Sequence, residues 1–578
     1  MPEATTNPAE EAAEAALQLV LSCIRENKSF LVEAGAGAGK THSLISALKY
    51  LITDQGPGRI RRHQKVACLT YTNAAKDEIQ SRTDRHPLIY CDTIHAFCWA
   101  TIKDNQSQLA KELPRLDPWP EKLLESGGIG GRRIEYSLGH RRVTEELVSI
   151  HHSDVLALFV ALMKFEKFRA LLASRFPVLL IDEYQDTDIS IAEALKTYFL
   201  GKDKSPLIGF FGDHWQMIYR GVCGRIEHPA LEVIKKEANF RSVGAVVDAL
   251  NKMRPELIQH IVDPLAEGSA AVYHSNDWHG QRRTEPHWKD DLPATAAHNY
   301  LKALVEQLSS QGWDFSSQKT KILMLTHNVL AEEQGYRSLA AAFPYHDSFI
   351  NKEDPHIKFF VDTLEPACTA FENKRYGEMF AAFGGKNPGL HSHAEKLQWI
   401  NDMEGLLEIR NKGSVGEVVD YLEQTQHLSI PDPVERRERE LSRLGPEPAF
   451  EDAPSLESLH KLRAVPYREV VVLKHFLDDK TPFSTKHGVK GLEFENVLVV
   501  LGRGWNLYNF NQMLEWAPDK FPPDRRDTFE RNRNLFYVAC SRPKTRLALL
   551  FTQKLSDKAL VTLGSWFGKG AVHSSMSS

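Results

Sequence analysis

Along the first third of the chain, short uninterrupted apolar runs alternate with longer segments whose apolar positions recur every three or four residues. The runs Phe30–Val32, Val66–Leu69, Val178–Ile181 and Leu207–Phe211 are each followed by a polar turn. A run that is apolar at every position predicts a strand covered on both faces, as in a parallel sheet. After the first run, Leu44, Ile45, Leu48, Leu51 and Ile52 fall on one face at helical spacing. The alternation resumes with Lys321–Leu325, Val470–Leu473, Val497–Leu501 and Arg546–Phe551, all expected strands. The pattern predicts an α/β protein with two halves built on parallel sheets, each interrupted by a mainly helical insertion. The first insertion, residues 99–177, contains Gly127-Gly128-Ile129-Gly130-Gly131, which reads as a flexible joint. The second spans 343–465, and its charge run Glu435–Glu440 reads as a solvated helix face.

Length and charge narrow the picture. At 578 residues the chain exceeds a single core, so three or four domains are expected. A net charge of −5 confines any nucleic-acid site to a local groove. No stretch reaches eighteen consecutive apolar residues, which argues against a membrane span. Glu3, Glu10, Glu11 and Glu14 stand where a secretory signal needs positive charge, so a cytoplasmic location is expected. Seven scattered cysteines without a Cys-x-x-Cys pair argue against a disulfide framework, a zinc site or an iron–sulfur cluster.

Chemistry concentrates after three of the strands. Ala34-Gly35-Ala36-Gly37-Ala38-Gly39-Lys40-Thr41 closes the first. Its small residues leave backbone N–H groups uncovered to ring a polyphosphate, and the following helix adds its positive dipole end. Lys40 would reach the β- and γ-phosphates of ATP, and the Thr41 hydroxyl would hold Mg²⁺. The third strand delivers Asp182 and Glu183 to its C-terminal end, where ligands sit in open α/β sheets. Asp182 would hold the metal and Glu183 would polarise the attacking water. A fourth turn, Gly212-Asp213-His214-Trp215-Gln216-Met217-Ile218-Tyr219, places Gln216 to sense the γ-phosphate.

In this order the three elements resemble the superfamily 1 helicases of the UvrD, Rep and PcrA type, and further segments match that family. Thr70-Tyr71-Thr72-Asn73-Ala74-Ala75-Lys76 and Thr93-Ile94-His95-Ala96-Phe97-Cys98 resemble its DNA-contact motifs. Asn239-Phe240-Arg241-Ser242 resembles the segment opening the second motor domain. Thr485-Lys486-His487-Gly488-Val489-Lys490-Gly491-Leu492-Glu493-Phe494 and Leu535-Phe536-Tyr537-Val538-Ala539-Cys540-Ser541-Arg542 resemble the fifth and sixth motifs. By this resemblance Phe240 stacks on the adenine, Glu493 contacts the ribose, and Arg241 and Arg542 contact the γ-phosphate. Tyr71, Thr72, Asn73, Thr93, His95, Phe97, Tyr219 and His487 would then contact DNA, with Trp215 a further candidate for stacking.

The resemblance implies two RecA-like P-loop motor domains. The first comprises 1–98 and 178–235, with the helical insertion 99–177. The second comprises 236–342 and 466–578, with a reduced helical insertion at 343–465. It further implies an ATP-driven 3′→5′ translocase acting on single-stranded DNA and single-strand/duplex junctions. The short insertions, and a chain that stops soon after Arg542 with no room for a nuclease, suggest the helicase subunit of a Gabija-type phage-defence system. Such a subunit works beside a separate nuclease of the OLD family, although DNA repair is equally open and the residues do not separate DNA from RNA. Departures from the pattern support an alternative, a DNA-end or nucleotide sensor that regulates a partner without processive unwinding. Glu10 replaces an adenine-reading Gln, and a carboxylate cannot donate to adenine N7, so adenine selectivity is not expected to be strict. Tyr219 is followed directly by Arg220-Gly221, without the usual intervening aromatic.

Overall fold

A computed structural model describes residues 7–574, except 137–140, 220, 287, 325–330, 332, 345–346, 383–391, 426–429, 445–449, 451–453, 479–480, 486–491, 504–507 and 518–520. The chain forms two compact units. One comprises Met1–Ala271, Gln512–Leu547 and Asp557–Val572; the other comprises Val272–Asn511, Ala548–Ser556 and His573–Ser578. The segments carrying Arg241 and Arg542, expected in the second motor domain, therefore pack within the first unit.

The first unit opens with helix α1 (Pro8–Arg25), strand β1 (Phe30–Ala34) and helix α2 (Lys40–Arg61). Strand β2 (Val66–Thr70), helix α3 (Asn73–Arg82), strand β3 (Ile89–Thr93) and helix α4 (Ile94–Ile102) follow. The first insertion contributes β4 (Arg133–Tyr136), β5 (Arg142–Val143) and β6 (Leu147–Ile150), after which come β7 (Val178–Asp182), β8 (Leu207–Gly212) and β9 (Glu232–Lys236). Six strands form one sheet in the order β3-β2-β7-β8-β1-β9, with every neighbouring pair parallel.

Alternation along each strand divides the apolar runs between two cores. Phe30, Val32, Cys68, Leu180 and Phe211 pack on one face with α1 and α2. Leu31, Leu69, Leu179, Ile181 and Phe210 pack on the other, against the first insertion. Burial on both faces is why these strands read as continuous apolar runs rather than as alternating ones. The insertion is not purely helical, because β4, β6 and β5 form a small sheet of their own. Its Ile134, Val148 and Trp119 share the core with Leu31 and Ala67, so it is continuous with the sheet it interrupts.

Short strands β10 (Ala238–Asn239) and β11 (His260–Ile261) pair in parallel. A second six-stranded sheet takes the order β14-β13-β15-β16-β12-β17. Its strands are β12 (Ser269–His274), β13 (Thr320–Met324), β14 (Phe483–Thr485), β15 (Phe494–Leu501), β16 (Pro543–Phe551) and β17 (Val572–Ser574). Strand β13 pairs in parallel with β14 and β15. The two sheets confirm the expected α/β class.

One expected strand is a helix. Val470–Leu473 lies within helix Arg468–Leu477, where Val470 and Leu473 are buried at a spacing of three while Val471 and Val472 are only half-buried. A short apolar run carries no period of its own, and here the helical insertion simply extends to Leu477. The charge run is also not wholly solvated. Within helix Asp432–Arg443, Glu438 is buried against His356 and Arg463, and Arg437 pairs with Asp354.

Candidate nucleotide and DNA site

The glycine-rich turn joins β1 to α2 at the C-terminal edge of the first sheet. Gly37 adopts φ +75°, open to glycine at little cost, and a Cβ there would lie 2.7 Å from Asn239 Oδ1 and 2.8 Å from Arg241 Cβ. The loop is clasped from the 236–259 segment. Asn239 Nδ2 and Gln259 Nε2 each donate to Ala36 O at 3.1 Å, and Phe240 N donates to Gly37 O at 2.8 Å. Ala34, Ala36 and Ala38 are buried, so the small residues serve packing as well as access.

Strand β7 delivers Asp182 and Glu183 opposite this loop. Lys40 Nζ donates to Glu183 Oε2 at 3.1 Å. Glu183 adopts φ +48°, a left-handed conformation that costs a non-glycine residue about 1 kcal/mol and aims the carboxylate at the loop. Asp182 is 4% exposed, and its Oδ1 has no hydrogen-bond partner. Burial and the adjacent Glu183 push its carboxyl up to about 7, with Lys40 pulling the other way. A buried carboxylate with an orphaned oxygen fits a divalent cation, and the half-buried Thr41 follows Lys40 on α2.

Strand β8 ends at Gly212, where any Cβ would collide with Gln185 Oε1. The turn after it carries Gln216, whose Nε2 donates to Asp213 Oδ2 at 2.8 Å. Arg542 is 1% exposed, and its Nη2 lies 3.4 Å from Gln216 Oε1. Burial, and next the nearby Arg241, push the Arg542 guanidinium below its ordinary range. Arg241 Nη1 donates to Ser541 O at 3.0 Å. Thus Lys40, Asp182, Glu183, Gln216, Arg241 and Arg542 all belong to one unit and converge on one loop.

Sequence reasoning missed the ionic core behind this site. Arg254, 1% exposed at the end of helix Gly244–Met253, donates to Asp213 Oδ1 and to Glu33 Oε1, both at 2.6 Å. His214 pairs with the same Glu33 oxygen. Asp213 is completely buried, which raises its pKa, yet Arg254 and then Lys40 hold it below the ordinary carboxylate range. No local pattern announces partners 41 and 221 residues apart. Lys236 was missed too, although its position on the inward face of β9 beside Ile234 was a usable signal.

The expected DNA contacts separate into groups. Tyr71 is 45% exposed and stacks on Tyr219, with ring centroids 5.5 Å apart. Exposed Thr72 caps α3 and stands beside exposed Asn73; Thr93 caps α4. His95 stacks on His152 at 3.4 Å, and burial followed by that neighbour pushes its imidazole down to about 4. Phe97 is a correction: it is 2% exposed among Tyr90, Phe159 and Phe176, and so it is a core residue. Trp215 is likewise 5% exposed, edge-on to Tyr537 with the Arg533 guanidinium 3.9 Å over its ring, and presents no free face to a base. Phe240 is 44% exposed and lines a groove of about 880 Å³ with Glu10, His42 and Lys236. Glu493 is exposed on the second unit, and His487 lies outside the described residues.

Comparison with known proteins agrees with this geometry. Residues 18–222 match the AAA domain family, and residues 374–554 match the UvrD-like helicase C-terminal domain. Gabija protein GajB of Bacillus cereus (strain HuB5-5) is 22% identical over 94% of this chain and 95% of its own. The ATP-dependent DNA helicase Rep of Escherichia coli (strain K12) is 25% identical over 38% of this chain and 40% of its own. PcrA of Staphylococcus aureus (strain Mu50) is 22% identical over 39% and 37%. The chain therefore spans about two fifths of the Rep and PcrA lengths but nearly all of GajB. With two parallel-sheet halves and the phosphate loop, acidic pair and arginines in family order, the chain resembles the UvrD-like helicases and, over nearly its whole length, Gabija protein GajB.

Proposed function

We propose that this chain is an ATP-driven 3′→5′ translocase on single-stranded DNA, acting in the cytoplasm with a partner nuclease of the OLD class in phage defence. The observation that carries the reading is the convergence of Lys40, Glu183, Gln216, Arg241 and Arg542 on the loop Ala34–Thr41. That set suits phosphoryl transfer to water, where catalysis is mostly positioning and charge neutralisation. The N–H groups of Gly35–Gly39 ring the phosphates, and Lys40 leaves Glu183 for the β- and γ-oxygens. The freed Glu183 carboxylate accepts the proton of the attacking water. Arg241 and Arg542 neutralise charge spreading over the γ-phosphoryl oxygens, and Gln216, bonded to both Asp213 and Arg542, reports whether that group is present. A Mg²⁺ ion held by Thr41 and Asp182 would supply further neutralisation at the same oxygens. Phe240 would stack on the base in its groove, and Glu493 is the proposed ribose contact.

Movement is expected to follow from ATP-linked closure of two RecA-like motor domains, with Tyr71, Thr72, Asn73, Thr93, His95, Tyr219 and His487 gripping the strand. Strand displacement tests the reading. A duplex with a 3′ single-stranded tail should be unwound with ATP, and a 5′-tailed duplex should not. Two observations favour a second reading, a sensor that hydrolyses ATP to switch its partner. Phe97 and Trp215 are buried, which leaves exposed Tyr71 and half-buried Tyr219 as the stacking pair among these candidates. DNA-stimulated hydrolysis without displacement of either duplex would select that reading.

A further inference from the structure

Lys236 ends β9, the edge strand beside β1, and its side chain enters the protein next to the first turn of α2. The residue is 1% exposed. Its Nζ donates to Gly39 O at 2.9 Å and to Ser43 Oγ at 2.6 Å. An ammonium has three donors, and the third has no protein partner among the described residues. No carboxylate among those residues pairs with it, and burial alone holds its pKa down to about 8.

Two physical terms oppose this placement. A buried charge without a counter-charge keeps its full desolvation penalty. A cation beside a helix N-terminus also meets the positive end of the dipole, where anions are favoured. One anion at the first turn of α2 relieves both. The position identifies which anion. Lys40 begins the same helix and faces Glu183, so it serves the distal phosphates. Lys236 reaches the first turn of that helix from β9, 6.0 Å from the centroid of the Phe240 ring and within the groove that this ring lines. Between a base on Phe240 and a γ-phosphate at Glu183, the group that passes Lys236 is the α-phosphate.

We propose that Lys236 is a second lysine of the nucleotide site, contacting the α-phosphate of the bound nucleotide; the inference rests on the nucleotide-site reading above. Fluorescent N-methylanthraniloyl derivatives of adenosine, AMP and ADP, titrated into the full-length protein, test it. Lys236→Met should weaken AMP and ADP by about tenfold alike, as for loss of one charge-assisted hydrogen bond. Adenosine should be unaffected, and Lys236→Arg should recover most of the loss. A lysine that only props the phosphate loop would instead weaken ADP more than AMP, because the β-phosphate sits in that loop. That result, or unchanged binding of all three, would overturn the inference. Should Lys236→Met fail to fold, the two α-thio diastereomers of ATP serve with wild type and Lys236→Arg. A diastereomer preference that changes in the arginine variant supports the contact, and equal affinities in both proteins overturn it. Failure of the wild type to bind any of these nucleotides would overturn the nucleotide-site reading itself.

Discussion

Replacing Arg254 by Met removes a cation bonded to both Glu33 and Asp213 while keeping most of the side-chain volume. Arg254 and Asp213 are 1% and 0% exposed at the side chain, with a 2.6 Å bond between them and a second 2.6 Å bond to Glu33. Breaking a buried pair by removing one partner typically costs about 3–5 kcal/mol, since the remaining charge keeps its desolvation without compensation. The Arg254→Met variant should therefore lose about that much stability in the first unit, read by circular dichroism during urea unfolding. The chain has two units, so the earlier transition is the relevant one if they separate. The cause is separable from lost packing. Adding Asp213→Asn removes the orphaned charge, so the double variant should be more stable than Arg254→Met alone by about 1–3 kcal/mol. The sign with pH follows. In the wild type, Arg254 and Lys40 outweigh burial and depress the Asp213 pKa, so this contribution is present above the unfolded carboxylate range and is lost as pH falls through the folded value. In Arg254→Met the strongest opposition to burial is gone and Lys40 and Gln216 remain, so the carboxyl binds a proton more readily and the penalty should shrink as pH falls from 8 to 5. A loss below about 1 kcal/mol, or no recovery in the double variant, would refute the account of this core.

Further expectations concern the site itself. Gly37→Ala must place a Cβ 2.7 Å from Asn239 Oδ1 at a φ of +75°, and should weaken ATP binding by about tenfold or more, measured by titration with a fluorescent ATP analogue. Asp182→Asn should raise the Mg²⁺ concentration needed for half-maximal hydrolysis by about tenfold or more; an unchanged requirement would exclude Asp182 as a metal ligand. Tyr71→Ala should weaken single-stranded DNA binding by about 1–3 kcal/mol in fluorescence anisotropy, while Phe97→Ala should act mainly on the melting temperature. Burial and His152 push His95 down to about 4, so it is neutral at pH 7, and the DNA affinities of wild type and His95→Gln should change in parallel between pH 6 and pH 8.

The interior of the first sheet was legible because its strands are covered on both faces, which forces apolar residues into β1, β2, β7 and β8 up to their C-terminal ends, where Glu33, Thr70 and Asp182 stand. Its edges were not. Strand β3 carries Asp92, which pairs with Lys76, and β9 reads Glu232-Val233-Ile234-Lys235-Lys236. Edge strands need less apolar surface and so lose the signal. The phosphate loop and acidic pair were legible because each is contiguous. Lys236 and the Glu33–Arg254–Asp213 core were not, because their partners meet only in the fold. Phe97 and Trp215 misled for a related reason: an aromatic residue inside a functional motif reads the same whether it faces a base or the core, and burial alone separates the two.

The central claim is that one loop, one acidic pair and two arginines form an ATP-hydrolysing centre coupled to DNA. Steady-state phosphate release with and without single-stranded DNA, for wild type, Lys40→Ala and Glu183→Gln, addresses it most directly. The account predicts DNA-stimulated release in the wild type and a loss of about 10²-fold or more in both variants, with Glu183→Gln still binding the fluorescent ATP analogue. Undiminished DNA-stimulated hydrolysis in either variant would contradict it.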